Sequence, residues 1–441
     1  MPEERLPRKL KFFSLTNVVV GDMIGAGIFT TSGLLLAQLH HPGLLILLWV
    51  VGGAIALSGA LSYGELGARY PRAGGDYVFL SELFHPLAGF LTGWVSFLVG
   101  FSAPLAASSL AFSEYLARTL PDGSLPEHAE LLKKGVAIGL ILLFTLGHYS
   151  GLKGGSGIQN WLTVMKVLLI SVLVIAGFIF GDGDTGHFLA ERGRMGEVAS
   201  WKSAGLALMW IMFAYSGWNA STYLGAEVLE PVRNIPRSLI WGTMTVIVLY
   251  LSLNILFVYA IPPGEMKGVI SIGGLAANRL FNLSMDRLFS LFIALILLSA
   301  ISVLVMIGPR VYYAMARSGH FFPPAGKINR ARVPGVAILM QSGLAILYIF
   351  TGTFEQIITF LSFSLGIFPI LAVLGVFKLR RRGDSVMKMP GYPLLPAFFI
   401  LASLAILILA FLERPVESSV AVGVILAGIP VFYLLRRPVA G

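Results

Sequence analysis

Two short runs of small residues interrupt otherwise apolar stretches of this sequence, where they could bind a charged solute. The first run contains Gly25 and Gly27 within residues 21–29, and the second contains Gly217 within residues 213–219. Glycine adopts non-helical backbone conformations at little cost, so each run predicts a break near the middle of a helix. A break frees N–H groups that bind an anion and carbonyl groups that bind a cation. The two breaks together predict a site for both ends of a zwitterion.

Close packing is the alternative explanation for these glycines. Small residues are common where membrane helices touch, and one Gly-Ala-Gly run is by itself weak evidence for a break. The second interruption lies five predicted spans after the first, as in transporters built from two repeats of five helices with discontinuous first helices. This pairing favours the binding-site interpretation, and a zwitterionic amino acid would satisfy the freed main-chain groups.

The elements that must position these breaks are membrane-spanning helices. Of the 441 residues, 56% are hydrophobic and 12% are charged, whereas a soluble domain carries about 25% charged residues. A span needs about 20 apolar residues, and Pro86 should separate a short amphipathic segment from the third span. The sequence predicts twelve spans, at residues 14–38, 43–64, 76–117, 131–149, 158–180, 203–225, 236–261, 287–316, 335–352, 355–378, 394–412 and 417–435.

The placement of the basic residues orients these spans and limits the possible partners. Lys and Arg are twice as frequent in the segments that share a side with the N-terminus as in the others, which predicts that both termini are cytoplasmic. The net charge of +10 is therefore explained by basic loops beside a lipid bilayer and does not indicate a nucleic-acid partner. Without cysteine the chain cannot form a disulfide-linked complex. The histidines lack zinc-ligand spacing, and we expect neither a metal nor a cofactor.

Charged residues inside or beside the spans are further candidates, because ionisable groups are costly in a membrane and usually functional. Lys166 lies about 13 Å into the fifth span at 1.5 Å per residue, and snorkelling to the cytoplasmic face is the alternative to a functional role. Asp22 directly precedes the first break, where a structural role and a coupling role both fit. Four residues near cytoplasmic ends fit gating salt bridges and ordinary interfacial charges equally well: Glu65, Asp76, Glu227 and Arg310.

Several motifs in sequential order resemble those of the amino acid–polyamine–organocation (APC) superfamily, most closely its L-amino acid transporter branch. The resemblance implies an all-α polytopic membrane protein with 12 transmembrane helices in the LeuT/APC fold, with a 5+5 inverted repeat and broken helices 1 and 6. The first repeat would be residues 14–180, and the second, inverted repeat would be residues 203–378. A cytoplasmic segment, residues 1–13, would precede them, and residues 394–441 would form two accessory helices and the cytoplasmic C-terminus. The matching segments are 21–29, 63–66, 71–77, 213–219, Glu227, Pro231, 233–236 and 308–317.

The resemblance also implies where a substrate binds. Its carboxylate is expected at three main-chain N–H groups of the first break, those of Gly25, Ala26 and Gly27. Its amino group is expected at the carbonyls of Met23, Phe213 and Ser216. Phe213 matches the family's aromatic gate. Many relatives carry serine in place of Ala26, whose missing hydroxyl removes one donor. The substrate-binding set implied in this way is Met23, Ile24, Gly25, Ala26, Gly27, Phe213, Ala214, Ser216, Gly217 and Asn219.

Coupling residues are implied by the same resemblance. Lys166 matches the place where sodium-coupled members bind sodium, and a fixed ammonium there would repel that ion. Burial favours the neutral amine, so the lysine could exchange a proton. Ser299 and Ser302 could supply hydroxyls near Lys166, although plain interhelical hydrogen bonds fit equally. Asp22 is the fourth candidate.

The function expected from the sequence is secondary active transport of amino acids across the plasma (inner) membrane by alternating access, coupled to protons or to exchange. The neutral residues Ala26, Ser216 and Asn219 favour neutral L-amino acids. The alternatives are a cationic amino acid or polyamine antiporter and a sodium symporter, and Asp22 keeps the first of these open. An amino acid sensor and a membrane enzyme are candidates from other classes. An enzyme would need clustered nucleophilic, basic or acidic groups, which the spans lack, so we expect no catalytic residues.

Overall fold

The chain folds as a bundle of α-helices, as the computed structural model shows. The structure describes residues 6–120, 128–151, 155–188, 200–269, 272–281, 283–350 and 354–435. Within these residues there are no β-strands, only isolated bridges at Leu10–Val228 and Ala73–Leu224. The α-helices are, in chain order, α1 Phe12–Met23, α2 Gly27–Leu39, α3 Pro42–Arg69, α4 Asp76–Leu83, α5 Pro86–Val95, α6 Ser102–Ala117, α7 Ala129–Tyr149, α8 Gly155–Phe180, α9 Trp201–Ala214, α10 Ala220–Tyr223, α11 Pro231–Ala260, α12 Pro263–Met266, α13 Ile272–Phe281, α14 Leu283–Arg317, α15 Gly335–Tyr348, α16 Phe354–Arg381, α17 Leu394–Glu413 and α18 Pro415–Leu435.

Proline marks the start of several long helices. Pro42, Pro86 and Pro231 each occupy the first helical position, where the missing N–H has no intrahelical partner to lose and the fixed φ suits the helix. Pro86 thereby separates α4 from α5, as the sequence predicts. Between α2 and α3, His40 adopts the left-handed conformation with φ of 53° and reverses the chain direction.

Much of this bundle is built to lie in a membrane. Among the described residues, 8 stretches of helix are long and apolar enough to cross a bilayer, and α9 and α15 are shorter apolar helices. The predicted spans 131–149 and 355–378 coincide with α7 and α16. Large apolar side chains such as Leu143, Leu168 and Leu401 are exposed on the outer surface, where a soluble protein would place polar groups. The protein is therefore a multi-pass membrane protein.

The first and sixth predicted spans are both interrupted. Residues 24–26 separate α1 from α2, and residues 215–219 separate α9 from α10. The predicted span 203–225 is thus not one helix, because α9 ends at Ala214 and α10 has only 4 residues. Both interruptions fall at the glycine-containing runs.

The third predicted span contains an irregularity that the sequence did not indicate. Residues Ser96–Gly100 form a π-helical turn between α5 and α6. Such a turn carries one extra residue and is frequent at functional sites. The short helices α12 and α13, between α11 and α14, were likewise not predicted.

Aromatic side chains at the centre of the bundle hold the second interruption against α3 and α11. Trp49, Tyr215 and Tyr250 pack with ring centroids 5.1–5.5 Å apart. The Tyr215 hydroxyl also donates to the carbonyl of Trp49 at 3.2 Å. All three side chains are fully buried, so the break at 215–219 begins inside the core of the bundle.

Close backbone approach at Gly33 gives a test of this packing. A Cβ at Gly33 would lie 2.1 Å from the carbonyl oxygen of Val269, so Gly33→Ala is expected to lower the stability by about 1–3 kcal/mol. Gly139 in α7 has no atom within 4 Å of its Cβ position, and Gly139→Ala is the matched control. Thermal unfolding in detergent measures both. Equal unfolding temperatures for Gly33→Ala and the unmodified protein would contradict the packing described.

Candidate functional site

A cavity of about 170 Å³ lies between the two interruptions. The cavity extends away from the end of the bundle that holds Leu10 and Phe432, between α6, α9 and α17. Its lining includes nine of the ten residues implied as substrate-binding: Met23, Gly25, Ala26, Gly27, Phe213, Ala214, Ser216, Gly217 and Asn219.

Ile24 is the member of that set outside the lining. Its side chain is fully buried, and its carbonyl accepts a hydrogen bond from the Lys166 ammonium at 2.5 Å. Ile24 therefore contributes to the site through its main chain, on the side away from the cavity.

The N–H groups of the first break differ in availability. The N–H of Gly25 donates to the carbonyl of Met23 at 3.0 Å, so the first of the three expected donors already has a partner. α2 begins at Gly27, and the first N–H groups of a helix have no partner within it. Ala26 and Gly27 thus present the positive end of α2 to the cavity.

The carbonyl groups of the same break accept hydrogen bonds from side chains of the protein. The Lys166 ammonium donates to the carbonyls of Gly21 and Ile24 at 3.0 and 2.5 Å. The Tyr250 hydroxyl lies 2.6 Å from the oxygen of Met23 and 3.0 Å from that of Ala214, so one proton is shared between the two breaks. The oxygen of Met23 accepts two hydrogen bonds, from the Tyr250 hydroxyl and from the N–H of Gly25, whereas the oxygens of Gly21, Ile24 and Ala214 keep a second lone pair.

The second break obtains its shape from Gly217. This residue has φ of +98°, a conformation that residues with a Cβ rarely adopt. A Cβ there would lie 2.7 Å from Oδ2 of Asp22, which places that carboxyl directly against the second break. The turn is closed by the N–H of Ser216, which donates to the carbonyl of Phe213 at 2.9 Å.

Phe213 is partly exposed at the cavity wall. Its ring approaches to 3.5 Å from the position that a Cβ of Gly27 would take, and the same position lies 2.9 Å from Cα of Ala214. α2 and α9 therefore touch through a glycine, and the ring lies beside the free N–H groups of α2.

The four coupling candidates fall into separate groups, because the charges of Asp22 and Lys166 interact whereas Ser299 and Ser302 have other partners. Lys166 is fully buried in α8 and binds α1. Ser299 instead bonds Gln159 and Thr163, at 3.1 and 3.0 Å, and these polar groups link α8 to α14. Ser302 bonds His148 of α7 at 3.0 Å. Asp22 lines the cavity.

Sequence reasoning did not place Asp76 in the cavity, where the structure puts it. Its Oδ2 accepts from the Tyr223 hydroxyl at 3.2 Å, and the Asn219 amide lies 3.5 Å away. Asp76 begins α4 directly after Gly74 and Gly75, which have φ of 116° and 49°. This double glycine before an acidic residue was the available signal, because it brings the backbone of α4 close to Tyr223.

The end of the bundle that holds Leu10 is closed by contacts between segments. Glu65 is fully buried and pairs with Arg380 at 2.7 Å, and Glu227 pairs with Arg310 at 2.9 Å. The N–H groups of Lys9 and Leu10 donate to the carbonyl of Glu227. These contacts separate the cavity from that end.

Comparisons with known proteins agree with this arrangement. The profile of the family described as "Amino acid permease" matches residues 10–435. The chain is 28% identical over 434 residues to the mouse b(0,+)-type amino acid transporter 1, covering 98% of this chain and 88% of that protein. It is 28% identical over 436 residues to the serine/threonine exchanger SteT of Bacillus subtilis (strain 168), covering 96% of each. It is 27% identical over 435 residues to the human large neutral amino acids transporter small subunit 2, covering 97% of this chain and 80% of that protein.

The matched region spans both interrupted helices, the buried lysine and the ion pairs. The chain therefore belongs to the amino acid permease family of the APC superfamily, whose members are membrane transporters and not enzymes.

Proposed function

We propose that this protein is a secondary active transporter of amino acids, with neutral L-amino acids favoured, and that it works by alternating access in the plasma membrane. The observation that carries the proposal is the cavity between two interrupted helices, with free main-chain groups in its wall. Unpaired N–H and C=O groups at membrane depth are costly unless a ligand or water satisfies them. A zwitterion supplies both kinds of partner.

The substrate carboxylate binds at the N–H groups of Ala26 and Gly27, at the positive end of α2. The amino group binds at the remaining lone pair of the Phe213 carbonyl and at the carbonyl of Ser216, because the oxygen of Met23 already accepts two hydrogen bonds. Phe213 closes over the solute as a gate. The side chain of the solute meets neutral neighbours at Ala26, Ser216 and Asn219, which supports the preference for neutral amino acids.

Alternating access requires the cavity to open to the two sides in turn. The cavity extends away from the Leu10 end of the bundle, and the ion pairs Glu65–Arg380 and Glu227–Arg310 lie at that end. With both termini in the cytoplasm, this is a state closed to the cytoplasm. We assign 12 spans, with residues 14–180 and 203–378 as inverted five-helix repeats and 394–441 as the accessory part.

Coupling in this proposal depends on Lys166. Its ammonium bonds two carbonyls of the first half-helix, in the place where a sodium ion would otherwise bind. Proton coupling and substrate exchange are therefore favoured over sodium symport. The names of the relatives include an exchanger for serine and threonine, which supports exchange. Ser299 and Ser302 support the surrounding helices, and a cationic substrate remains the second candidate because Asp22 lies in the cavity wall.

Reconstituted protein tests the function directly. Proteoliposomes loaded with amino acids should take up labelled L-alanine, L-serine, L-threonine or L-leucine in a saturable manner, and replacing sodium with choline should leave the rate unchanged. Protein-free liposomes are the control. Failure to take up or exchange any amino acid or polyamine would refute the proposal, and strict sodium dependence would refute the role of Lys166.

Removing the Lys166 ammonium should impair transport. Lys166→Met keeps the length of the side chain but leaves the carbonyls of Gly21 and Ile24 without their donor, a loss of about 1.5–3 kcal/mol per charged hydrogen bond. Uptake should fall about tenfold or more. Lys202→Met, at an exposed lysine of α9, should transport normally. A correctly folded Lys166→Met protein with the unmodified rate would show that the lysine has no functional role.

Adding a methyl group at Gly217 should distort the second break. Gly217→Ala is strained at φ of +98° and crowds the Asp22 carboxyl, and backbone strain of this kind costs about 1–3 kcal/mol. Uptake should drop about tenfold while the helix content is unchanged. Gly343→Ala in α15, with open space around its Cβ position, is the control. Normal substrate affinity and uptake in Gly217→Ala would contradict the proposed geometry.

A further inference from the structure

Three acidic residues near the closed end of the bundle have different environments. Glu65 receives a bidentate hydrogen bond from Arg380, and Glu227 pairs with Arg310. Asp76 takes part in none of the ion pairs formed within the described residues. It is also the one of the three that lines the cavity. The Asp76 carboxyl therefore has a different role from the carboxylates of Glu65 and Glu227, whose ion pairs hold segments of the bundle together.

The surroundings of Asp76 satisfy half of its carboxyl. Oδ2 accepts from Tyr223 at 3.2 Å and lies 3.5 Å from the Asn219 amide. Oδ1 is buried without a hydrogen-bond partner, and the residue is only 6% exposed. The hydroxyl of Tyr63 lies beside the same carboxyl and is the neutral donor available to Oδ1. The donors around Asp76 are therefore neutral, and a buried carboxylate without a counter-charge is costly, so a ligand for this carboxyl is implied.

The charge of the cavity wall indicates the sign of that ligand. Among the described lining residues, the charged side chains are those of Asp22 and Asp76, and the wall contains no Lys, Arg or His. The charge of the buried Lys166 ammonium interacts with Asp22, but a neutral amino acid has no net charge and so cannot compensate a carboxylate at Asp76. Burying an unpaired charge is far more costly than burying a neutral group. A positive charge must therefore accompany the solute.

The space at Oδ1 restricts this charge to a proton. The atom is inaccessible to solvent, and a metal cation would need several oxygen ligands around it. The groups facing the Asp76 carboxyl are Tyr63 from α3, Tyr223 from α10 and Asn219 from the second break, with Asp22 across the cavity. None of these four is a cation.

We propose that Asp76 is a proton-binding site in the cavity wall and that its proton crosses the membrane with a neutral amino acid. This inference rests on the proposed transport function and names its coupling ion. The ionised carboxylate accepts strongly from Tyr223, which holds α10 against α4. A neutral carboxyl is a weaker acceptor, so protonation loosens this contact and allows the inner half of the sixth helix to move. The proton is then released on the cytoplasmic side.

Infrared difference spectroscopy tests proton binding without a substrate. Purified protein titrated over about pH 5 to 8 should show the C=O band of a protonated carboxyl at the acidic end. The band should be lost in Asp76→Asn and retained in Asp182→Asn, which removes an exposed carboxylate by the same chemical change. Persistence of the full band in Asp76→Asn would overturn the proposal.

Transport by the same preparations tests coupling. An inward proton gradient should stimulate uptake of labelled L-alanine or L-serine by the unmodified protein. In Asp76→Asn this stimulation should be lost, and Asp76→Glu should restore it. Stimulated uptake in Asp76→Asn, or no stimulation in the unmodified protein, would overturn the assignment. Absence of all uptake and exchange by the unmodified protein would refute the transport function, whereas the infrared band would still decide whether Asp76 binds a proton.

Discussion

The structure depends on how unpaired main-chain groups are satisfied where a helix stops in the middle of a membrane protein. At the end of α1 the protein satisfies them itself, since Lys166 and Tyr250 supply donors to the carbonyls of Gly21, Met23 and Ile24. At the start of α2 it does not, and the N–H groups of Ala26 and Gly27 lie in the cavity wall. The break is therefore asymmetric. Side chains of the protein supply the donors for its carbonyl groups, whereas the acceptor for its N–H groups must come from a solute. A solute carboxylate is the group that completes it.

The two breaks constrain each other through close contacts. Gly27 lies against Ala214, and Gly217 lies against Asp22, in both cases without room for a Cβ. The shared Tyr250 hydroxyl adds a polar link between Met23 and Ala214. Movement of one half-helix must then displace the other, which couples the state of the substrate site to the packing of the whole bundle. In a two-state transporter this is the physical link between binding and opening.

The helices and the two breaks could be predicted from the sequence because their signals are local. Long apolar runs, starting prolines and glycine-containing interruptions all act on the chain within a few residues. The partners of buried polar groups could not be predicted in this way. For Ser299 and Ser302 the sequence left hydroxyls near Lys166 and plain interhelical hydrogen bonds equally open. Their hydrogen bonds go to Gln159, Thr163 and His148, because the rotation of α14 about its own axis decides which neighbour each hydroxyl meets.

Asp76 is a second case in which the sequence did not reveal the neighbours of a buried polar group. Its position fitted a gating salt bridge and an interfacial charge equally well, because the local signal, the double glycine Gly74–Gly75, does not identify Tyr223 as the partner. Residues far apart in the chain define this environment, and only their three-dimensional arrangement distinguishes Asp76 from Glu65. The family resemblance correctly predicted the first break. It did not reveal that the N–H of Gly25 already donates a hydrogen bond to the carbonyl of Met23.

The π-helical turn at Ser96–Gly100 makes the length of the third span as important as its composition. Cavity-lining residues Thr92, Ser96, Gly100 and Pro104 are spaced by four, and at about 100° per residue an ideal α-helix would carry the last of them about 120° away from the first. The extra residue of the wide turn cancels most of that drift. Deleting a single residue there would rotate the outer part of the span by about a quarter turn. Side chains that now face the solute would then turn toward neighbouring helices, although hardly any of the amino acids had changed.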